Sequence, residues 1–180
     1  MPDCYELHVA GVTRQLPIIQ IAPDLAIASF VILGDQELVT AAAPLLAEKL
    51  PPVDYLVTAE AKGIPLVQEL SRLLGLPYYI VARKSVKPYM AKPLVDEVNS
   101  ITTQKVQTLC LDGKDALAIQ GKRVAIVDDV ISTGESLQAI ERLVEKAGAQ
   151  VAAKAAILAE GDAAERDDIL FLEPLPLFPL

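Results

Sequence analysis

Hydrophobic and polar positions alternate in two different ways along this chain of 180 residues. Over the first third, apolar and polar residues follow one another with the period of two that half-buried strands show. The pattern predicts strands at residues 5–12 and 14–21, joined by a turn at Gly11, and a third strand at residues 26–33. The chain should therefore begin with a β-rich unit.

Beyond this unit, apolar runs of strand length alternate with helical patterns. Asp35 is a candidate N-cap for the first helix, which Pro51 should end, and Gly75 is a candidate stop for the second. The predicted strands are residues 54–58, 78–82, 124–127 and 151–158, and the predicted helices are residues 35–50, 64–74 and 137–147. Regular strand–helix alternation predicts an α/β fold, a doubly wound parallel sheet flanked by helices, with ligands outside the carboxyl ends of the strands.

The segment from Arg83 to Asp112 interrupts this alternation. It carries Pro88, Pro93, a basic cluster and a stretch rich in Thr and Gln, with at most a β-ribbon around residues 100–111. A connection of this length in a compact domain is usually functional, often as a lid, although a disordered insert is the alternative.

Composition excludes several classes of function. The net charge of −8 argues against a general nucleic-acid or acidic-membrane surface. No apolar stretch reaches transmembrane length, and the first residues lack the pattern of a signal peptide, so a cytoplasmic location is expected. Cys4 and Cys110 lie far apart and His8 is the single histidine, which disfavours a zinc site or a histidine-based triad.

The most informative stretch is residues 124–136, Val-Ala-Ile-Val-Asp-Asp-Val-Ile-Ser-Thr-Gly-Glu-Ser. Four aliphatic residues predict a buried strand, and Asp128 and Asp129 should emerge at its end towards solvent or a ligand. The amides of residues 132–136 should converge at the start of the next helix, where the dipole favours a phosphate. Acidic residues that merely cap a turn are the alternative interpretation.

Two further strand ends carry cations. Residues 59–63 read Ala-Glu-Ala-Lys-Gly, in which Gly63 permits close backbone approach and Lys62 adds a charge. Residues 83–87 hold Arg83, Lys84 and Lys87, which would suit a highly charged leaving group. A solvated loop is the alternative for each.

These motifs resemble those of the type I phosphoribosyltransferases, closest to the adenine and xanthine enzymes of purine salvage, over roughly residues 50–160. The resemblance implies one phosphoribosyltransferase domain over residues 1–180. Its parts would be a core at 35–159, a hood for the base at 1–34 plus 160–180, and a flexible lid at 84–111. It also implies a homodimer that binds small-molecule substrates and neither nucleic acid nor a membrane.

The implied reaction is that of a pentosyltransferase, a glycosyltransferase of nucleotide metabolism. It transfers 5-phosphoribose from phosphoribosyl pyrophosphate (PRPP) to a purine base and releases pyrophosphate. Mg²⁺ would arrive with PRPP near Asp128 and Asp129 rather than on a dedicated protein site. The resemblance implies catalytic roles for Asp128, Asp129, Arg83 and Lys87, and PRPP binding by Ala61, Lys62, Gly63, Lys84, Asp128, Asp129, Ser132, Thr133, Gly134, Glu135 and Ser136.

The base is less well defined by the sequence. Adenine enzymes often carry a lid glutamate where this chain has Gln104, with Glu97 a substitute of unknown reach. Enzymes for 6-oxopurines place a lysine after the strand that follows the PRPP helix, and here Glu160 stands there, which favours adenine. Phe30 is a candidate to stack on the base. A 6-oxopurine enzyme for xanthine, guanine or hypoxanthine, a PRPP-sensing regulator and an orotate enzyme are the alternatives.

Overall fold

The computed structural model describes residues 3–99 and 106–180, apart from the side chains of residues 98, 99, 106 and 107. Two sheets and a ribbon make up its β-structure. The strands are β1 (Cys4–Val9), β2 (Val12–Ala22), β3 (Leu25–Ala28), β4 (Tyr55–Ala59), β5 (Ile80–Ala82), β6 (Leu94–Asn99), β7 (Val106–Leu111), β8 (Arg123–Ile131), β9 (Gln150–Glu160), β10 (Glu173–Leu175) and β11 (Leu177–Pro179). The helices are α1 (Gln36–Lys49), α2 (Ile64–Leu74), α3 (Gly113–Ile119), α4 (Glu135–Lys146) and a 3₁₀ helix (Gly161–Glu165).

The central sheet has the strand order β10-β9-β8-β4-β5, and every pair in it is parallel. Alternate residues of β8 enter two separate cores. Ala125 and Val127 pack in the core that includes α1 and α2, whereas Val124 and Ile126 pack in the core that includes α3 and α4. Both faces of the strand are thus covered by helices, which confirms the predicted doubly wound fold.

The N-terminal unit is a sheet of order β1-β2-β3-β11. Its first hairpin turns at Ala10 and Gly11, both with positive φ, as a tight turn between twisted strands requires. The third predicted strand is shorter than expected, because pairing stops at Ala28. The alternation continues to residue 32 because Phe30 and Ile32 turn into the main core, not because they pair with another strand.

The C-terminal tail joins both sheets. β10 runs parallel to β9 at the edge of the central sheet, and β11 pairs antiparallel with β3. Phe178 meets Tyr5 edge-on, with ring centroids 5.9 Å apart. The tail therefore fixes the N-terminal sheet against the end of the central one.

Helix ends follow the sequence signals. The Asp35 carboxylate accepts from the amide of Leu38 at 3.1 Å and caps α1, and Gly75 ends α2 in the left-handed conformation. Helix α3 was not predicted, because seven residues are too few to show a periodicity. β8 also extends past its predicted end, since pairing with β9 continues to Ile131, so Asp128 and Asp129 lie within the strand.

The connection after β5 contains the antiparallel ribbon of β6 and β7. The ribbon begins at Leu94, earlier than the sequence predicted. Buried Asp96 anchors it to α4 through Arg142 at 2.9 Å and Lys146 at 3.0 Å. Residues 100–105, and with them Gln104, lie outside the described part of the chain. Within that part, no helix has the length and apolarity to cross a membrane.

Candidate active site

A cavity of about 700 Å³ opens at the carboxyl ends of β4, β8 and β9. This is the edge of a parallel sheet at which ligands are expected. Its walls come from β8, the first turn of α4, the loop after β4 and the segment after β3. Ten residues predicted for the site line it: Phe30, Ala61, Lys62, Lys84, Asp128, Asp129, Ser132, Glu135, Ser136 and Glu160.

Two adjacent carboxylates form the acidic part of this cavity. The amide of Asp129 donates to Asp128 Oδ1 at 2.8 Å, and Asp129 is only 4% exposed. Asp129 Oδ2 has no hydrogen-bond partner among the described residues. Burial, followed by the neighbouring charge of Asp129, raises the pKa of Asp128 to about 8. Buried acceptors without partners are costly, so the pair is suited to hydroxyl donors or a cation from a ligand.

The turn from β8 into α4 is suited to an anion. Gly134, at φ +84°, is the N-cap of α4, so no side chain caps the first amides of the helix. Ser132, Glu135 and Ser136 line the cavity, whereas Thr133 and Gly134 do not. The Ser132 hydroxyl accepts from the amide of Thr133 at 2.6 Å, which stabilises the turn.

The loop after β4 places Ala61 and Lys62 on the cavity wall, with Gly63 buried behind them. A Cβ at Gly63 would lie 2.0 Å from Thr58 Oγ1 and 3.3 Å from the carbonyl oxygen of Val127. Glycine is therefore required for packing the start of α2 against β4 and β8, and the close approach is to the protein itself.

The three basic residues after β5 differ in whether they reach the cavity. Lys84 lines the cavity, whereas Arg83 and Lys87 do not. Arg83 donates to Glu60 at 2.8 Å and to the Tyr89 hydroxyl at 2.6 Å. Lys87 donates to the Ser85 hydroxyl at 2.7 Å.

Glu60, which sequence reasoning missed, connects these two segments. It accepts from the amide of Lys84 at 2.7 Å as well as from Arg83. These hydrogen bonds, that of Lys84 first, hold the pKa of Glu60 below its usual value despite desolvation. The sequence did contain a signal for Glu60. An acidic residue follows one strand, and a run of basic residues follows the next strand along the chain.

Another wall of the cavity is mainly apolar, and apart from Thr108 and Leu109 it comes from the two segments expected to form the hood, residues 1–34 and 160–180. It is formed by Ile27, Ala28, Ser29, Phe30, Val31, Leu109 and Leu175, with Thr108 beside them. Phe30 serves both as a core residue, 7% exposed, and as part of this wall. Glu97 is exposed on β6 and does not line the cavity.

Glu160, at the end of β9, brings an ionisable group to the cavity. Burial raises its pKa, partly offset by the Ser132 hydroxyl and the charge of Lys62. Within residues 3–99 and 106–180, no group of three or more His, Cys, Asp or Glu side chains could hold a metal ion. The site thus offers carboxylates and cations for a ligand but no complete metal cage.

The comparison with family models agrees with this geometry. The model of the phosphoribosyl transferase domain matches residues 37–174, which include the central sheet, the β8–α4 turn and both basic loops. The chain belongs to this family. The match confirms the family relationship that the motifs indicated.

Curated relatives match part of its length. A hypoxanthine/guanine phosphoribosyltransferase of Methanotorris igneus is 38% identical over 110 residues, 61% of this chain and 56% of the relative. One of Ferroglobus placidus is 36% identical over 114 residues, 63% of this chain and 57% of the relative. The matched stretch thus spans about half the length of these relatives.

Several solved structures with the same fold are adenine phosphoribosyltransferases. The adenine phosphoribosyltransferase of Thermoanaerobacter pseudethanolicus has a TM-score of 0.66 at 24% identity, covering 96% of this chain and 95% of that one. The enzyme of Giardia lamblia has a TM-score of 0.70 at 19% identity, covering 88% and 93%. At such identities the likeness establishes the fold.

Proposed function

We propose that this family member is a purine phosphoribosyltransferase that transfers 5-phosphoribose from PRPP to a base and releases pyrophosphate. One observation carries the proposal: a single cavity joins an uncapped helix start, the buried carboxylate of Asp129, the half-buried carboxylate of Asp128, two lysines and an apolar wall. These parts match the phosphate, the ribose hydroxyls, the pyrophosphate and the planar base in turn.

The residues would act mainly by positioning and charge stabilisation. Asp128 and Asp129 accept from the ribose hydroxyls, and the α4 amides with Ser132 and Ser136 hold the 5′-phosphate. Lys62 and Lys84 neutralise the leaving pyrophosphate as its bond to the anomeric carbon breaks. Holding base and sugar in line within a closed cavity lowers the remaining barrier.

Arg83 and Lys87 keep their proposed roles, although neither lines the cavity. Both follow β5, and the Lys84 amide between them is held by Glu60. A closing movement of this segment would bring their charges towards the pyrophosphate, which is why we assign them to the late stage of the reaction.

The carboxylate pair also fits a divalent cation that arrives with the substrate. Asp129 Oδ2 lacks a partner among the described residues, and burial, followed by the charge of Asp129, raises the pKa of Asp128. Because the described residues offer no group of three acidic, histidine or cysteine ligands, Asp128 and Asp129 would hold Mg²⁺ together with the oxygens of PRPP. The ion would neutralise part of the charge of PRPP.

Adenine is the base we favour, because Glu160 stands on the cavity wall. An ionised carboxylate only accepts hydrogen bonds, so it suits a 6-amino group and opposes a 6-oxo group. The 6-oxopurines are the second candidate, supported by the identity of 38% with a hypoxanthine/guanine enzyme. A PRPP-sensing regulator would share the cavity but not the turnover, and a homodimer is the assembly we propose for either.

Pyrophosphate release tests the proposal. The chain is incubated with Mg²⁺ and PRPP together with adenine, hypoxanthine, guanine, xanthine or orotate, one at a time. We expect turnover with a purine and none with orotate. Turnover with orotate alone would contradict the purine assignment. If calorimetry detects PRPP binding but no base gives turnover, the protein would be assigned as a PRPP-sensing regulator instead of an enzyme.

A further inference from the structure

Arg166 lies outside the motifs that indicated the site. It follows the 3₁₀ helix, and two hydrogen bonds to Asp168 fix its guanidinium: Nε to Oδ1 at 2.8 Å and Nη2 to Oδ2 at 2.7 Å. Asp168 is itself held by Lys154, whose amine lies 3.2 Å from Oδ2 and also contacts Glu141 of α4. The guanidinium is therefore held in one orientation by a network anchored on β9 and α4.

The third nitrogen of this guanidinium points at the start of α4. Nη1 lies 2.8 Å from the position that a Cβ on Gly134 would occupy. Within the described residues it has no hydrogen-bond acceptor, although its side chain is only 29% exposed. A fixed, partly desolvated cation thus stands against the turn from which the phosphate-binding amides project.

The charges around this turn explain why a cation matters there. Glu135 follows Gly134 directly, and Asp128 and Asp129 line the same cavity, so acidic groups share the cavity with the proposed phosphate. Their repulsion of a phosphate dianion is strong in a partly buried site. Arg166 places a positive charge against Gly134 without itself lining the cavity, and its contact restricts this turn.

We propose that Arg166 is a positioning residue for the 5′-phosphate: fixed by Asp168, it holds the Gly134 turn and adds positive charge behind its amides. The proposal rests on the proposed function, because it takes the α4 turn to be the site of the sugar phosphate. The competing explanation is that the Arg166–Asp168 pair only fastens the C-terminal segment.

Separate probes for the two ends of PRPP distinguish these explanations. Binding of ribose 5-phosphate reports the α4 turn, and binding of pyrophosphate with Mg²⁺ reports the loops after β4 and β5. Both are measured by calorimetry for wild type, Arg166→Met, Arg166→Lys and Asp168→Asn. Arg72→Met is the matched control, since Arg72 makes the same two-point contact with Glu69 at 2.9 and 2.8 Å. Arg72 lies about 13 Å along the axis of α2 from Gly63, the residue that ends the loop after β4.

We expect Arg166→Met to weaken the binding of ribose 5-phosphate about tenfold, because both the restraint on Gly134 and the positive charge behind its amides are lost, and to leave pyrophosphate binding unchanged. Arg166→Lys should recover part of the loss because the charge remains, and Asp168→Asn should show a smaller loss because the guanidinium is no longer fixed. Arg72→Met should match wild type.

Three results would overturn the inference. Unchanged ribose 5-phosphate binding in Arg166→Met would show that Arg166 does not position the 5′-phosphate. Equal weakening of the binding of both probes would show that Arg166 only stabilises the fold. If Arg166→Met does not fold, wild-type affinity in both Arg166→Lys and Asp168→Asn would overturn it. Wild-type protein that binds neither probe would instead contradict the proposed function itself.

Discussion

The carboxylate of Glu60 accepts a hydrogen bond from the backbone amide of Lys84 at 2.7 Å. This contact joins the loop after β4 to the segment after β5, and Lys62 and Lys84 line the same cavity from these two sides. The spacing of the cations that face the proposed pyrophosphate is thus set by an anion between the loops.

Replacing Glu60 with Gln should lower kcat/KM about tenfold, because a neutral amide holds the Lys84 amide and Arg83 less strongly. Initial rates at varied PRPP measure the effect. Glu69→Gln is the control, since Glu69 is half-buried like Glu60 and also pairs with an arginine, but lies within α2 and does not line the cavity. Equal losses in both variants would contradict a specific role for Glu60.

The double variant Asp128→Asn, Asp129→Asn should abolish pyrophosphate release while the protein stays folded. The amides keep the shape of the pair but lose its charge, and thus the strong acceptors for ribose hydroxyls and cation. Thermal unfolding should show a midpoint no lower than that of wild type, because neutral amides replace two adjacent acidic groups in a partly desolvated site. Retained turnover would remove the PRPP assignment.

Affinity for Mg²⁺ and PRPP should rise between pH 6 and pH 9. The pKa of Asp128 is raised to about 8, so the unliganded site holds a proton that a cation or hydroxyl donor must displace. Proton release on binding is measured by calorimetry in two buffers of different ionisation enthalpy. In Asp128→Asn, the affinity should depend much less on pH. If wild type and Asp128→Asn show the same pH dependence of affinity, another titrating group is responsible.

The same raised pKa has a consequence for stability. The folded state retains the Asp128 proton at pH values where the unfolded chain has already lost it. This group's contribution is therefore fully present below pH 4 and is lost as the pH rises towards about 8. The unfolding midpoint of unliganded wild type should fall relative to that of Asp128→Asn over this interval.

Glu160→Gln should reduce the preference for adenine over hypoxanthine. The amide of Gln both donates and accepts, so it tolerates a 6-oxo group that a carboxylate repels. The ratio of kcat/KM values for the two bases is the measurement, and a fall of roughly tenfold corresponds to one discriminating hydrogen bond. Glu165→Gln, on the nearby 3₁₀ helix and exposed, is the control.

Gly63→Ala should destabilise the protein by about 1–3 kcal/mol, the range for overpacked sites, because its Cβ would collide with Thr58 Oγ1. Urea unfolding measures the change. The double variant Gly63→Ala, Thr58→Ala lacks that oxygen. Its loss in free energy of unfolding should be smaller than the sum of the losses in the two single variants. Strict additivity would show that the collision is relieved elsewhere.

Local signals in the sequence were sufficient for much of the fold. Asp35 and Gly75 fix the ends of two helices because capping depends on the neighbouring few residues. The run 124–127 identified a strand buried on both faces, as its complete burial shows. The acidic and glycine-containing turn after it identified the candidate site.

What only the tertiary structure decided involves residues distant in the sequence. Glu60 meets Lys84, Arg166 meets Gly134, and Leu175 joins residues 27–31 around the cavity. No local pattern predicts such pairs, because they depend on how separate strands align. The sequence could not predict where β8 and β3 end either. A partner strand or the core determines where pairing stops.

The sequence by itself determined most strands and helices of the central α/β unit and the chemistry available at the strand ends. These follow from periodicity, capping and charge, which act over a few residues. The tertiary structure decided which of those charges face the cavity and which are neutralised by a partner. That division depends on burial and on distances between loops, and these exist only once the sheet has brought its strand ends together.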